Sequence, residues 1–572
     1  MCGIYALLGL NNNLVDLSVW INQLTARGPE GTQITKISDT LTMGFTRLAI
    51  NGLTPVGMQP FKKKFEGITW MCNGEIYNSR DIEDSLDTKS HPSDCYCLGD
   101  LYLRHRDDLV AFARSIDGVF AFVLYDEERD RLIVARDPYG VRPLFIATRP
   151  RAALTNTITQ SISNPLFTIY NDTICFASEL KALAPYYDSI QHFPPGYIQV
   201  YSTKKPMMLE SYCYHSVPWI TNPSLTSQTA SEHLRFALEE SVRKRMLTER
   251  PVAALLSGGL DSSLIASLVQ KNLKQLNLPP LKTFSIGFKG SSDLAHARMV
   301  ADWIKSDHTE IVMTPDEFFN AIPKVICAIE SFDTTTVRAS VGNYLVSQKI
   351  KELSDCKVVF NGDGSDELFG GYLYFYNAPN VRAFQSETSR LLFDIHLFDV
   401  LRSDRSISSH GLEPRTPFLD KQFVSVVRSI DPKLLIPIRG VRCEKYILRS
   451  AFDDGFTLPK EVLWRRKEAF SDGVSSPDKA WYEEIQERVL KIVPKDWSMK
   501  SMLSYSSHLK PLTPEEYYYR FLFSCEYGQN AAKTMVPYRW LPLWCPETTD
   551  PSARTLDIYN EDEDAIDHEN DT

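Results

Sequence analysis

The chain has 572 residues, 43% hydrophobic and 23% charged, the balance of a soluble globular protein long enough for two or three domains. Its net charge of −10 is concentrated at one end, where residues 547–572 carry ten acids against Arg554 alone. The near-neutral body argues against nucleic-acid binding, and no apolar segment is long enough to span a membrane.

The apolar run 4–10 has no basic stretch before it and reads as a first strand, not a signal peptide. Alternation and β-branched content predict strands at 41–49, 68–72, 119–125, 132–136 and 174–177. Asn51-Gly52, Asn73-Gly74, Asp137-Pro138 and Pro194-Pro195-Gly196 read as turns. Residues 2–202 are therefore expected to form an antiparallel, layered α+β domain. Residues 203–229, irregular and rich in Ser, Thr and Pro, read as a linker.

From residue 230 the period changes. An amphipathic helix through Leu234, Ala237, Leu238 and Val242 precedes a buried strand at 252–256. Helix 264–273, strand 281–288, helix 294–304, strand 309–312, two helices and strand 358–360 follow. Alternating strand and helix predict a parallel α/β sheet, giving way to mostly helical structure after about residue 375. This second domain is expected over 230–546, and 547–572 as a disordered acidic tail.

The eleven cysteines are scattered and odd in number, and Cys95-Tyr96-Cys97 lacks zinc-site spacing. They read as free thiols in a reducing cytosol.

Cys2 gains a free α-amine beside its thiol once Met1 is trimmed, and that amine can act as a local base. Asn73 and the Gly74 N–H can hold an oxyanion, Arg47 can grip a carboxylate with two prongs, and Asp94 can take an ammonium. Each is commonplace alone. The ordered set is not: Cys2-Gly3-Ile4, Arg27-Gly28-Pro29, Arg47-Leu48, Asn73 to Asn78, Asp117-Gly118, Arg136-Asp137, Gly140 to Leu144 and Phe176 to Glu179. The first half resembles a class II, N-terminal-nucleophile glutamine amidotransferase domain. Ala26 and Glu30 depart from its usual His and Asp. The resemblance implies a catalytic set of Cys2, Asn73 and Gly74, and glutamine contacts from Arg47, Leu48, Ala49, Ile50, Asn51, Asn73, Gly74, Glu75 and Asp94.

In the second half, Ser257-Gly258-Gly259-Leu260-Asp261-Ser262-Ser263 follows a buried strand and opens a helix, the context of a phosphate-binding loop. It lacks the Lys of a Walker loop. Its Asp261 would repel phosphate unless a cation lay between, so Mg²⁺ is expected. Asn361-Gly362-Asp363-Gly364-Ser365-Asp366-Glu367 follows another strand, and Asp366 is the expected second metal ligand. Lys445 and Arg449, one helical turn apart, and Lys467 are candidates to neutralise phosphate.

Together with Thr283 to Gly287, Asp293 to Ala295, Gly364 to Tyr372, Glu413, Arg415, Pro417 to Asp420, Glu444-Lys445 and Phe470 to Val474, this half resembles the glutamine-hydrolysing asparagine synthetases. The similarity runs from residue 2 to about 555. It implies an ATP-pyrophosphatase fold and synthesis of asparagine from aspartate, glutamine and ATP through β-aspartyl-AMP. Leu256, Ser257, Gly258, Gly259, Asp261, Ser262, Ile286, Asn361, Gly362, Asp366 and Lys445 would bind ATP. Asp363 stands where relatives carry a catalytic glutamate, and its reach is shorter by roughly 1.5 Å. The synthetase half is therefore expected to be slow, adapted to another acid, or compensated by a shifted loop. A homodimer stays open as the assembly. Two other readings also stay open: an amidotransferase acting on a different carboxylate, and a weakened regulatory homologue.

Overall fold

The computed structural model describes residues 1–9, 14–150, 173–476 and 479–560. Its strands are β1 (Gly3–Leu8), β2 (Gly31–Lys36), β3 (Leu41–Arg47), β4 (Phe61–Lys63), β5 (Ile68–Ile76), β6 (Gly118–Asp126), β7 (Arg131–Arg136), β8 (Phe145–Pro150), β9 (Ile174–Ala177), β10 (Tyr187–His192), β11 (Tyr197–Ser202), β12 (Met207–Cys213), β13 (Val252–Leu255), β14 (Lys282–Phe288), β15 (Asp307–Met313), β16 (Val358–Phe360) and β17 (Glu413–Arg415).

Two antiparallel sheets, ordered β10-β8-β9-β1-β3-β2 and β12-β11-β7-β6-β5-β4, make the first unit. The period of two along β1 explains their stacking. Ile4, Ala6 and Leu8 join Phe45, Met71, Ala121, Val123 and Phe176 in one apolar cluster, while Tyr5 and Leu7 join another. That second cluster continues into the other unit through Phe284, Ile407, Leu412 and Phe523, so an unbroken apolar core crosses the domain boundary.

The other sheet is wholly parallel, ordered β15-β14-β13-β16-β17. Chain order turns in opposite directions on either side of β13. The crevice between the ends of β13 and β16 is therefore the switch point at which such sheets bind ligands. Helix Leu260–Gln275 opens directly from the β13 loop.

Three expectations need correction. Asn73-Gly74 is no turn: β5 runs through it, pairing Gly74 with Phe120, and a Cβ at Gly74 would lie 2.2 Å from the Val119 carbonyl oxygen. That glycine permits close strand approach. The expected linker 203–229 contains β12 and the start of helix Ser227–Lys244, leaving 214–226 as the connector. The expected tail is in part packed: Asp550 pairs with Arg338 at 2.7 Å, and Leu556 and Ile558 are buried in the core. Residues 561–572 lie outside the described residues. Among the described residues, no helix is long and apolar enough to cross a membrane.

Candidate active sites

Cys2 immediately precedes β1, the strand between β9 and β3, so the sheet fixes its position. Its thiol donates to the Leu48 carbonyl at 3.5 Å. One cavity is lined by Cys2, Arg47, Leu48, Ala49, Ile50, Asn51, Gly74, Glu75 and Asp94. Every expected glutamine contact is there except Asn73. The Asn73 carboxamide is fully buried, and neither its N nor its O finds a hydrogen-bond partner.

Arg47 ties down the loop after β3, donating Nη1–H to the Thr54 carbonyl at 2.8 Å and Nη2–H to that of Gly52. Guanidinium has five N–H donors, so a fork remains for a carboxylate. Asp94 accepts from the Ile76 N–H at 2.7 Å, and burial pushes its carboxyl up to about 6. Glu75 accepts from Asn51 Nδ2 at 2.7 Å. Burial, with Asp94 and Glu413 nearby, raises its carboxyl well above the usual range. Glu30 has a structural task, holding the Ala49 N–H at 2.7 Å and Arg250 at 2.9 Å.

While Met1 precedes Cys2, the terminal amine is buried against the Leu412 carbonyl at 3.2 Å, and burial lowers it to about 5. Burial also raises the Cys2 thiol to about 11. At neutral pH the thiol is then protonated, and the amine, though neutral, is too weak a base to take its proton readily. Removing Met1 transfers the free amine to Cys2 itself.

The second cavity sits at the switch point. It is lined by Leu256, Ser257, Gly259, Asp261, Ser262, Ile286, Asn361, Gly362, Asp363, Asp366, Lys445 and Lys467. Gly258 lies behind it at φ +73°, pressed against His296 and Ala297. The two loops touch: a Cβ on Gly362 would lie 2.7 Å from the Ser262 nitrogen. Only glycine lets the acidic loop approach this closely.

Lys445 Nζ stands 2.7 Å from Asp261 and 2.6 Å from Asp366, and Lys467 stands 2.7 Å from Asp366. Burial acts to raise the Asp366 carboxyl, but Lys445 and Lys467 outweigh it and hold it well below the usual range. Asp261 keeps a buried Oδ1 without a hydrogen-bond partner, whereas Asp366 meets Lys445 through Oδ1 and Lys467 through Oδ2. Among the described residues no group of three or more His, Cys, Asp or Glu could hold a metal. These two carboxylates thus suit an ion whose remaining ligands arrive with a phosphate.

Arg449 lines the same cavity, but its guanidinium is engaged elsewhere. Lys445 caps helix Tyr446–Ala451 with a left-handed backbone, and Arg449 donates to Glu444 and to the Leu463 carbonyl. Sequence reasoning also missed Arg402, on helix Asp399–Ser408. Its Nη2 lies 3.0 Å from Asp363 and 2.9 Å from Asp399.

Residues 1–234 match the glutamine amidotransferase domain family, and residues 233–393 and 379–535 match the asparagine synthase family. Over 98% of its length the chain is 38% identical to the asparagine synthetase [glutamine-hydrolyzing] of Gallus gallus, and likewise to that of Homo sapiens, covering 99% of each. The Bos taurus protein of the same name is 37% identical over the same share of the chain. The chain belongs to the asparagine synthase family. Within that family's two-domain plan, Glu413 is unexpected in one respect. It starts β17 of the parallel sheet yet lines the cavity of Cys2. Its three-residue strand is too short to show a period in sequence.

Proposed function

We propose that the chain makes L-asparagine from L-aspartate, taking nitrogen from L-glutamine and energy from ATP, which leaves as AMP and pyrophosphate. One observation carries this reading. Glu413 lines the Cys2 cavity, and its strand pairs with β16, whose end becomes the acidic loop of the second cavity. The near-full-length identity to glutamine-hydrolysing asparagine synthetases supports the same reaction.

In the first cavity, the Cys2 α-amine takes the thiol proton. The thiolate attacks the glutamine side-chain carbonyl carbon, with the Gly74 N–H donating to the oxyanion; Asn73, unpartnered behind the cavity wall, would join it only by turning its carboxamide inward. The C–N bond breaks, ammonia leaves with the proton, and water cleaves the thioester to glutamate. Arg47 would bind the α-carboxylate and Asp94 the α-ammonium.

In the second cavity, the aspartate β-carboxylate attacks the α-phosphorus of ATP, releasing pyrophosphate. Asp261 and Asp366 would hold the Mg²⁺ that accompanies ATP, which would supply positive charge against the departing pyrophosphate. Lys445 and Lys467 bring positive charge to the same end. Ammonia then attacks the acyl carbon of β-aspartyl-AMP, displacing AMP. All eleven cysteines are free thiols, which supports a cytosolic location.

The test is isotopic. With amide-¹⁵N glutamine, unlabelled ammonium, aspartate and MgATP, the asparagine side-chain amide should carry ¹⁵N. Unlabelled asparagine would contradict transfer between the sites.

A further inference from the structure

Lys467 lies in a run, 465–469, that has no helix or strand of its own. The run's backbone is fixed mainly at its ends: the Arg465 N–H donates to the Val462 carbonyl at 3.2 Å, the Ala469 carbonyl accepts the Asp472 and Gly473 N–H groups at 2.8 Å, and between them the Lys467 N–H donates to Glu444 at 3.2 Å. A segment with so few backbone bonds takes its position from side-chain contacts. Many of these come from the far end of the chain. Arg554 donates to Glu468 Oε1 at 2.9 Å and to the Asp472 carbonyl at 3.0 Å. Ser552 Oγ donates to Asp472 at 2.8 Å, and Arg466 donates to the Ile558 carbonyl. The far end is itself fastened by the Asp550–Arg338 pair and by buried Leu556 and Ile558.

Glu468 is the junction. Its Oε1 takes Arg554, while its Oε2 takes Arg465 and Ser292, each at 2.9 Å. The neighbouring residue in sequence is Lys467, on Asp366 at 2.7 Å. Moving Glu468 therefore moves the ammonium that faces the pyrophosphate end of the cavity.

We propose that residues 550–560 are a strap that positions the Lys467 loop for adenylation, with Arg554 as its principal positioning residue, acting through Glu468. This rests on reading the second cavity as the ATP site. Without Arg554, Glu468 loses a charge-assisted bond and the loop gains freedom. A displacement of about 1 Å at the reacting centre costs around a hundredfold in rate.

The experiment measures aspartate-dependent pyrophosphate release and glutaminase activity in full-length Arg554→Ala and Arg554→Lys, and in a chain ending at Asn560. Trypsin cleavage at Arg465, Arg466 and Lys467 is followed in parallel. Arg554→Ala should lower kcat/KM for ATP by about tenfold or more while glutaminase activity holds, and the loop should be cut faster. Arg554→Lys should recover part of the loss, and the chain ending at Asn560 should match the parent. In a Glu468→Gln background, Arg554→Ala should add less than it costs alone, because its ion pair with Glu468 is already gone and only the bond to the Asp472 carbonyl is left to lose. Unchanged kcat/KM for ATP in Arg554→Ala, or independent effects of the two substitutions, would overturn the strap. If the parent releases no pyrophosphate, the ATP-site reading fails by itself. Trypsin then decides the strap: faster cutting in Arg554→Ala supports it, and unchanged cutting overturns it.

Discussion

Arg415 reaches across the domain boundary to Glu75, with Nη2 3.4 Å from the carboxylate and 3.0 Å from Glu413 on the same strand. Its backbone carbonyl accepts the Asn361 N–H at 3.1 Å, so one residue touches the Cys2 cavity wall and the start of the acidic loop. Arg415→Met leaves Glu75 and Glu413 buried without this cation, an arrangement expected to cost about 3–5 kcal/mol. Thermal unfolding should register that loss. More glutamate should form per asparagine in the same variant, because the side-chain tie from Glu75 to β17, the strand paired with β16, is gone while the backbone bond to Asn361 remains. An unchanged product ratio would show that Arg415 only braces the fold.

Cys2→Ala removes the ammonia source and nothing in the second cavity. Glutamine-dependent asparagine formation should fall below detection, while formation from ammonium chloride stays within about twofold of the parent. Loss of both activities would contradict the division of labour.

Asp261→Asn and Asp366→Asn each remove a charge facing the expected Mg²⁺. Aspartate-dependent pyrophosphate release should drop by about a hundredfold or more, with glutaminase activity intact. Raising Mg²⁺ should recover part of the Asp261→Asn loss by mass action. Normal release from both variants would remove these carboxylates from metal binding.

Asp94 supplies a pH test. Its carboxyl is raised to about 6 by burial, so it is protonated well above the ordinary 3.8. For folding, a raised carboxyl favours the native state below 3.8, and that contribution is lost as pH rises through about 6. For binding the sense reverses, because only the charged form attracts an ammonium. The kcat/KM for glutamine should therefore fall about tenfold per unit as pH drops below about 6. Asp94→Asn should be weak at all pH values and lack this limb. Persistence of the limb in Asp94→Asn would assign it to another group.

Asp363, which the resemblance sets in the place of a longer glutamate, is met by Arg402 at 3.0 Å, and Arg402 is braced by Asp399 at 2.9 Å. The pairing favours a loop fitted to aspartate. Asp363→Glu pushes the carboxylate roughly 1.5 Å into that pair and should lower asparagine formation about tenfold without affecting glutaminase activity. A rise in asparagine per glutamate would mean that reach limits the natural chain.

The Ser-Gly-Gly and acidic loops are legible in sequence because each follows directly on an apolar strand. Their meeting is not legible. Gly362 presses on Ser262 only because β13 and β16 are neighbours, and motif spacing does not specify strand order. Arg402 arrives from a helix 39 residues beyond Asp363, without a local signature. Asn73-Gly74 carries a turn's composition but serves a strand, since the glycine answers a steric demand from β6. β12 is largely exposed, so it shows no apolar alternation against the polar background. At the C-terminus, acid content obscures Leu556 and Ile558, which join the apolar cluster that also holds Trp540.

The most direct measurement is product stoichiometry with glutamine, MgATP and a panel of carboxylic acids including aspartate. The account predicts asparagine from aspartate alone, with one AMP and one pyrophosphate per asparagine and at least one glutamate. Amidation of a different acid, or glutamate release with no AMP formed in the presence of aspartate, would contradict it.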